Sequence, residues 1–330
     1  MADNKILTFS VAAYNVEKTL GEALQSLITD EDVMERMEVI IVNDGSRDNT
    51  AEIAQGYVDK YPGTFRLVNK VNGGHGSTIN ASLERASGKY YKMLDGDDWV
   101  ETANLRELIS FLEQSEADLV FTPYIRVYPD HEETVVRHGM SRLDTGITDL
   151  TIEQLKDVFA HELAIRTAVL QENPVRMTEH CFYVDMELVF FSLLYAKTAA
   201  GLALPVYRYR LGVAGQSASI QGRVKHWEDA IRVEKRLLET YLDHEGSLAS
   251  PAKEVLYEMV IRFAIYQYQN FVLMKDDKEA RSRAQAFDTY LKAYTGIYQE
   301  TGRSRLVKLL RCLGFRFMRF LYNYVSRTAI

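Results

Sequence analysis

Short apolar runs alternate with longer stretches of helical periodicity over the first 125 residues. Ile6 to Val11 is an apolar, β-prone run, and after Asn15 the spacing of Leu20, Ala23, Leu24 and Leu27 places one apolar face on a helix. Val39 to Val42 predicts a second strand. Asp48 can then cap a helix whose buried side is Ile53, Ala54, Tyr57 and Val58. Pro62-Gly63 closes that helix, and Phe65 to Val68 predicts a third strand. The loop Asn72-Gly73-Gly74-His75-Gly76-Ser77 leads into a helix bearing Ile79, Leu83 and Ala86, and the run from Tyr90 predicts the fourth strand. A helix with Leu105, Leu108, Ile109 and Leu112 and a strand from Leu119 to Thr122 continue the alternation. Strands alternating with helices imply an α/β fold, a mostly parallel sheet covered on both faces, with ligands collecting beyond the carboxyl ends of the strands.

The pattern loosens afterwards. Arg126 to Asp149 is charged and irregular, which suits a hairpin or surface excursion, and Thr151-Ile152-Glu153-Gln154 has the form of a capping box that starts a helix. Leu188 to Ala196 is the longest apolar run; it falls well short of the ~20 residues of a membrane span and reads as a core helix. Val206 to Leu211 predicts a strand followed by the loop Gly212 to Ser219, and from about His226 the chain reads as helical to its end. The expected division is a domain at residues 1–220 and a helical C-terminal region at 221–330.

Composition agrees with a globular protein: 330 residues, 47% hydrophobic and 26% charged. Cys181 and Cys312 lie far apart without paired Cys or His spacing, so neither a zinc site nor a disulfide framework is indicated; Cys181 reads as buried and inert. A reducing cytoplasm fits, and no basic, apolar leader opens the chain. Net charge is −7, yet residues 301–330 hold seven Arg or Lys and no Asp or Glu. Removing those seven positive charges leaves −14 on the first 300 residues. Such an acidic body argues against nucleic acid, while the basic tail invites an anionic surface.

The chemistry-bearing residues fall where the predicted strands end. Tyr14 and Asn15 follow the first strand, Asp44 the second and Asn72 the third; Asp95, Asp97 and Asp98 follow the fourth around Gly96. Three carboxylates in four residues repel one another and are tolerated around a hard divalent cation, Mn²⁺ or Mg²⁺. The plainer alternative is an acidic turn in which Asp97 caps the next helix. Asp44-Gly45-Ser46 can likewise be an ordinary turn, His75 a loop histidine and Tyr207 to Arg210 a strand with one solvated face.

Ser10 to Asn15, Val42 to Thr50 with Asp44, Ser46 and Asp48, Asn72 to Gly76, and Asp95-Gly96-Asp97-Asp98-Trp99 together resemble the family 2 glycosyltransferases of the GT-A fold, over residues 5 to about 220. The resemblance implies a Rossmann-like sheet and donor contacts from Ala13, Tyr14, Asn15, Glu17, Asp44, Lys70, Asn72, Gly76, Asp95, Gly96 and Asp97. Asp44 inherits the uracil contact by position. Asp97 and Asp98 inherit the metal that bridges the nucleotide diphosphate. Enzymes of this family usually invert the anomeric centre with a base from a Glu-Asp pair. Val184-Asp185 occupies that place, so Asp185 is the candidate base, with Glu187 and Glu179 in reserve. Two departures stand out: Ala12 replaces the common proline before the tyrosine, and Ile79 replaces a frequent arginine. Phosphate contacts then fall to Lys70, His75 or Arg208. His180 reads as structural or as an acceptor contact, and Gln216 and Ser217 lie where relatives carry a flexible loop near the diphosphate.

The resemblance implies a metal-dependent, inverting transfer from a UDP-sugar to a glycan or polyprenyl-diphosphate-linked acceptor in bacterial surface-polysaccharide synthesis. A sugar-nucleotide pyrophosphorylase is a different enzyme class with acidic metal sites, but Ala12-Ala13-Tyr14-Asn15 is not its glycine-rich loop. A binding module that has lost catalysis is the non-enzymatic alternative; the carboxylates at both 95–98 and 185 speak against it. Projected at 100° per residue, Arg305, Lys308, Arg316, Arg319 and Arg327 share one arc of about 100°, opposite Leu306, Leu310, Leu313, Phe317, Phe320, Leu321 and Tyr324. This layout predicts that residues 303–330 either lie on the inner face of the cytoplasmic membrane or pack on the body.

Overall fold

The computed structural model describes residues 5–136, 144–146, 155–212 and 219–328. Its contacts divide the chain into two compact units, Met1–Gly212 with Ala249–Ala252 and Val213–Leu248 with Lys253–Ile330.

The first unit is built on twelve strands among the described residues: β1 (Leu7–Ala13), β2 (Met37–Asn43), β3 (Phe65–Asn69), β4 (Tyr90–Asp95), β5 (Trp99–Val100), β6 (Leu119–Phe121), β7 (Tyr124–Val127), β8 (Glu132–Val135), β9 (Asp144–Gly146), β10 (Leu163–Arg166), β11 (Thr198–Gly201) and β12 (Tyr207–Arg210). Eight form one sheet in the order β3-β2-β1-β4-β10-β6-β11-β9, and β5-β12-β7-β8 form a smaller one. β2 is buried at every position and β1 at nearly every one, as strands covered on both faces must be. β1 runs parallel to both β2 and β4, whereas β10 is antiparallel to β4 and β6. The chain therefore steps from β1 outward to β2 and β3, then returns to the opposite side of β1 as β4. That reversal opens a crevice at the carboxyl ends of β1 and β4, the place where such sheets bind ligands. Ala12 and Asp95 are direct neighbours across it.

Several expectations change in detail. Asp48 does not simply cap the helix Thr50–Lys60, whose N-cap is Asn49; its Oδ1 accepts from the Thr50 N–H and its Oδ2 from the Glu17 N–H, strapping two loops together. The acidic turn feeds β5 rather than a helix, so Asp97 caps nothing there. The excursion from Arg126 opens as an antiparallel hairpin of β7 and β8, its residues 144–146 pair with β11 as β9, and the capping box at 151–154 lies outside the described residues.

The second unit is helical, from Ile220–Lys225 to Met318–Thr328. Its end is not one continuous helix, which corrects the single-arc projection. Helix Arg305–Cys312 stops in a left-handed turn at Gly314 (φ 59), where the Phe315 N–H reaches the Leu310 carbonyl (2.8 Å) and the Gly314 N–H the Arg311 carbonyl (3.1 Å). This paired 6→1 and 5→2 bonding ends helices because glycine bears no Cβ penalty in that conformation. Leu306, Val307, Leu310, Phe315, Met318 and Val325 are buried, whereas Leu309, Leu313, Phe317, Phe320 and Tyr324 are exposed. Arg311 is spent internally, donating to Asp288 Oδ1 (2.6 Å), the Tyr298 carbonyl (2.8 Å) and Thr301 Oγ1 (3.0 Å).

Candidate active site

The turn after β4 is fixed from two sides. The Gly96 N–H donates to the Ala12 carbonyl (2.9 Å) and Thr19 Oγ1 donates to the Gly96 carbonyl (2.9 Å). A Cβ on Gly96 would lie 2.7 Å from that Ala12 oxygen, so only glycine lets the turn rest on β1. From the smaller sheet, Tyr207 Oη donates to Asp98 Oδ2 (2.6 Å), the Arg210 N–H to Asp98 Oδ1 (2.7 Å) and Arg210 Nε to the Asp97 carbonyl (2.7 Å). Burial pushes the Asp98 carboxyl well above its ordinary pKa, and repulsion from Asp95 and Asp97 pushes the same way. Burial and Asp95 likewise raise Asp97. Carboxyls in this state gain from a divalent cation, which removes the repulsion that holds protons on them.

A histidine from another segment completes this corner. His161, in the short 3₁₀ turn Ala160–Glu162, stacks on Tyr209 (4.3 Å between centroids) and meets the Tyr207 ring edge-on (4.7 Å). Single ligand atoms of Asp95, Asp98 and His161 all lie within 4.8 Å of one another. Burial keeps the imidazole neutral, lowering its pKa to about 4 against the opposing pull of Asp95. Two carboxylates and a neutral imidazole are a donor set that suits a divalent cation such as Mn²⁺. Beneath them the fully buried Lys92 donates to the carbonyls of His161 (2.7 Å) and Leu163 (3.1 Å), and burial lowers its pKa to about 7.

The opposite wall comes from the glycine-rich loop and the segment around Thr178. His75 opens the helix His75–Leu83, and its Nε2 lies 3.4 Å from Asp95 Oδ1. A Cβ on Gly76 would meet the Thr178 carbonyl at 2.1 Å, so a glycine is what lets the helix start against that segment. Asn80 locks the contact, donating to the Met177 carbonyl (3.0 Å) and accepting from the Met177 N–H (2.7 Å), and the His180 N–H donates to the Gly73 carbonyl. Asp185 lies in the first turn of the helix Val184–Tyr195. Burial raises its pKa, His75 opposes this and Asp95 adds to it, so the candidate base is within electrostatic reach of the acidic turn.

The remaining sequence candidates are placed unevenly. Glu187 is buried and accepts from the Thr178 N–H (2.7 Å) and hydroxyl (2.6 Å), and Glu179 pairs with Arg176 (2.7 Å) and accepts from Asn80 Nδ2 (3.3 Å); both tie the Thr178 segment down. His180 is exposed on that segment. Arg208 is not poised for phosphate: it pairs with Glu101 (2.8 Å) and Glu132 and lies over the Trp99 ring. Asn15 and Glu17 accept from the backbone N–H groups of Arg47 (2.9 Å) and Asn49 (3.1 Å), Tyr14 is half exposed, and Ala13 ends β1 opposite Asn43. Asp44 is buried, and its Oδ1 accepts from Lys70 Nζ (2.8 Å), the Gly73 N–H (2.9 Å) and Ser77 Oγ (3.2 Å). Its Oδ2 accepts from the Gly74 N–H (2.8 Å) and Asn72 Nδ2 (3.0 Å). A uracil N–H reaches this carboxylate only by displacing one of these donors. Gln216 and Ser217 lie outside the described residues.

The sequence model of "Glycosyl transferase family 2" matches residues 8–173, half of the chain. The chain belongs to glycosyl transferase family 2. It is 28% identical over 244 residues to the "Minor teichoic acid biosynthesis protein GgaB" of Bacillus subtilis, a match covering 71% of this transferase and 26% of GgaB, so the chain spans about a quarter of that relative's length. Its fold is similar to that of Staphylococcus aureus TarS 1–349 in complex with UDP-GlcNAc (TM-score 0.65, 20% identity, 98% of this chain and 90% of that one). It is also similar to the mannosyltransferase PcManGT of Pyrobaculum calidifontis in complex with GDP-Man and Mn²⁺ (TM-score 0.57, 14% identity, 98% and 86%). The expected GT-A architecture of this glycosyltransferase is thereby borne out. Among the described residues no helix is long and apolar enough to cross a membrane.

Sequence reasoning passed over His161 and Lys92, and read Tyr207 and Arg210 only as parts of a strand with one solvated face. The usable signal was Lys92, a charge at the centre of the apolar run Tyr90 to Leu94: on a strand covered on both faces it must find buried acceptors. His161 has no comparable local signature.

Proposed function

We propose that this transferase moves a sugar from a UDP-sugar to a hydroxyl of a bacterial cell-envelope glycan, with inversion and with a divalent cation. The carrying observation is the run of contacts that joins the acidic turn to the segment around Asp185: His75 lies 3.4 Å from Asp95 Oδ1, the helix it opens is locked through Asn80 to Met177, and the adjoining Thr178 donates to Glu187, two residues beyond Asp185. GgaB's name, the UDP-GlcNAc held by TarS and the Mn²⁺ in PcManGT support the glycan, the donor and the cation. Asp95 and Asp98, whose ligand atoms cluster, with Asp97 beside them, are the carboxylates that would hold the cation, which would supply Lewis-acid stabilisation of the departing diphosphate. Asp185 takes the proton of the acceptor hydroxyl as that oxygen attacks; burial makes it a stronger base than a solvated aspartate. Asp44 acts on the uridine pocket through the loop Lys70 to Ser77 that it holds together. The test is UDP release from a panel of UDP-sugars with Mn²⁺ or with excess EDTA. Turnover with Mn²⁺ that EDTA abolishes is expected; binding of UDP-sugars without any turnover would favour a silent binding module, and undiminished activity in EDTA would refute the cation.

The acceptor is inferred to be lipid-linked, with the C-terminal tail resting on an anionic leaflet. Arg303, Arg305, Lys308, Arg316, Arg319 and Arg327 are exposed beside Leu309, Leu313, Phe317, Phe320 and Tyr324, with no acidic residue in the last thirty. Basic groups near such a leaflet contribute about 1 kcal/mol each, and aromatic side chains anchor at the interface. Phe320 is 83% exposed. The full chain should float with phosphatidylglycerol vesicles at low salt and sink at high salt, and Phe317→Ser with Phe320→Ser should not float. Point changes are needed because truncation would strip Leu306, Leu310 and Arg311 from the helical core. A full chain that stays at the bottom at low salt would refute the attachment.

A further inference from the structure

We infer that His161 is a nitrogen ligand of the divalent cation held at Asp95 and Asp98, and that it biases this site toward Mn²⁺ over Mg²⁺. The inference rests on the metal-dependent reading above and deepens it: the acidic turn alone is an all-oxygen site, whereas the folded chain adds an imidazole from a segment well removed in sequence.

Three observations carry it. One ligand atom from each of Asp95, Asp98 and His161 falls within 4.8 Å of the other two, a spacing that one ion can bridge. His161 is only 9% exposed, and its Nδ1 is buried without a hydrogen-bond partner. Packing between Tyr207 and Tyr209 accounts for the ring but leaves that nitrogen unsatisfied, which buried polar groups seldom are. The residue is also held rigidly. Lys92 grips its carbonyl at 2.7 Å from below, and Tyr207, which meets the ring edge-on, donates to Asp98 at 2.6 Å, so imidazole and carboxylate share one support. A nitrogen donor favours Mn²⁺ over Mg²⁺, which prefers oxygen and water. His75 is the competing imidazole; it is about a third exposed, already faces Asp95 at 3.4 Å, and stands outside the three-atom cluster.

Pulsed electron paramagnetic resonance of the full chain with Mn²⁺ and UDP tests this without turnover. The expected result is a ¹⁴N coupling from a directly bound imidazole that persists in His75→Gln and disappears in His161→Gln and His161→Asn. Mn²⁺ affinity should fall about 10-fold or more in the His161 variants, with a smaller change for Mg²⁺. The wild-type coupling needs no variant to fold, and melting curves check those that are used. Bound Mn²⁺ without ¹⁴N coupling, or a coupling lost only in His75→Gln, would overturn the role of His161 and leave the metal reading standing. Absence of Mn²⁺ binding to the wild type in the presence of UDP would overturn both.

Discussion

Asp44→Asn separates two ways in which a carboxylate at the end of β2 serves the donor site. The substitution barely changes shape, so its effect is electronic. Five donors converge on this side chain, three on Oδ1 and two on Oδ2. Whichever way the amide is turned, an NH₂ group faces at least two of them. Each orphaned buried donor costs ~1–3 kcal/mol. The loss is bounded above because Lys70 is 24% exposed and keeps the Val71 carbonyl at 2.7 Å, so its charge is partly rehydrated rather than stranded. We therefore expect a loss of ~2–4 kcal/mol, which in a unit of this size lowers the melting temperature by ~5–15 °C. Because the damage is to the loop, UDP and CDP affinities should fall together, by similar factors. Thermal melts and calorimetry with both nucleotides read these quantities. An unchanged melting temperature with a lost preference for UDP would make Asp44 a direct uracil ligand and refute the loop argument; an unchanged protein in both assays would refute either role.

Further outcomes follow from the same geometry. Asp185→Asn should cut turnover ~10²–10⁴-fold while UDP-sugar affinity stays within a few-fold, since its proton comes from the acceptor; lost donor binding by calorimetry would reassign it. Asp97→Asn and Asp98→Asn should each lower turnover at least ~100-fold, but only Asp98→Asn should also lower the melting temperature, because Tyr207 and the Arg210 N–H rest on its carboxylate at 2.6 and 2.7 Å. Equal melting curves for the two would contradict that clamp. Lys92→Met tests the buried ammonium: burial brings its folded pKa to about 7, below the ordinary lysine value of 10.5, so the unfolded chain holds more protons between those values. Wild-type stability should therefore rise relative to Lys92→Met by ~1.4 kcal/mol per pH unit as pH climbs from 7 toward 10, and parallel urea midpoints across that range would remove the argument.

The half of the sheet nearest β1 was legible because strands buried on both faces are nearly continuous apolar runs, and Leu7 to Ala13, Met37 to Asn43 and Tyr90 to Leu94 are such runs. In the other half β6 was legible as the run Leu119 to Thr122, but its neighbours were not. β10 is Leu-Ala-Ile-Arg and β11 is Thr-Ala-Ala-Gly, four residues each with little β-branched content, and they are strands because β6 lies between them. The tail was half legible. Its helical character was read, but a projection at 100° per residue presumes an unbroken helix, and Gly314 ends the first one. On both sides of that turn the apolar positions divide: Leu306, Leu310 and Met318 are buried, whereas Leu313, Phe317 and Phe320 are exposed.

The candidate site shows why residue type at a strand end carries more information than residue type elsewhere. Acids after β4 were visible because a strand end in a doubly covered sheet is where polar side chains escape the core. What holds them was invisible, since each support comes from another segment: β12 for Asp98, the glycine-rich loop for Asp44, Thr178 for Glu187. The same fact governs how variants are to be interpreted. Removing Asp98 breaks a support together with the proposed cation contact, and removing Asp44 breaks the loop it holds together, so loss of activity alone does not assign either residue. Asp97 and Asp185 are the better probes of chemistry, because Arg210 holds Asp97 through its backbone carbonyl and Asp185 projects from a helix anchored by its neighbour Glu187.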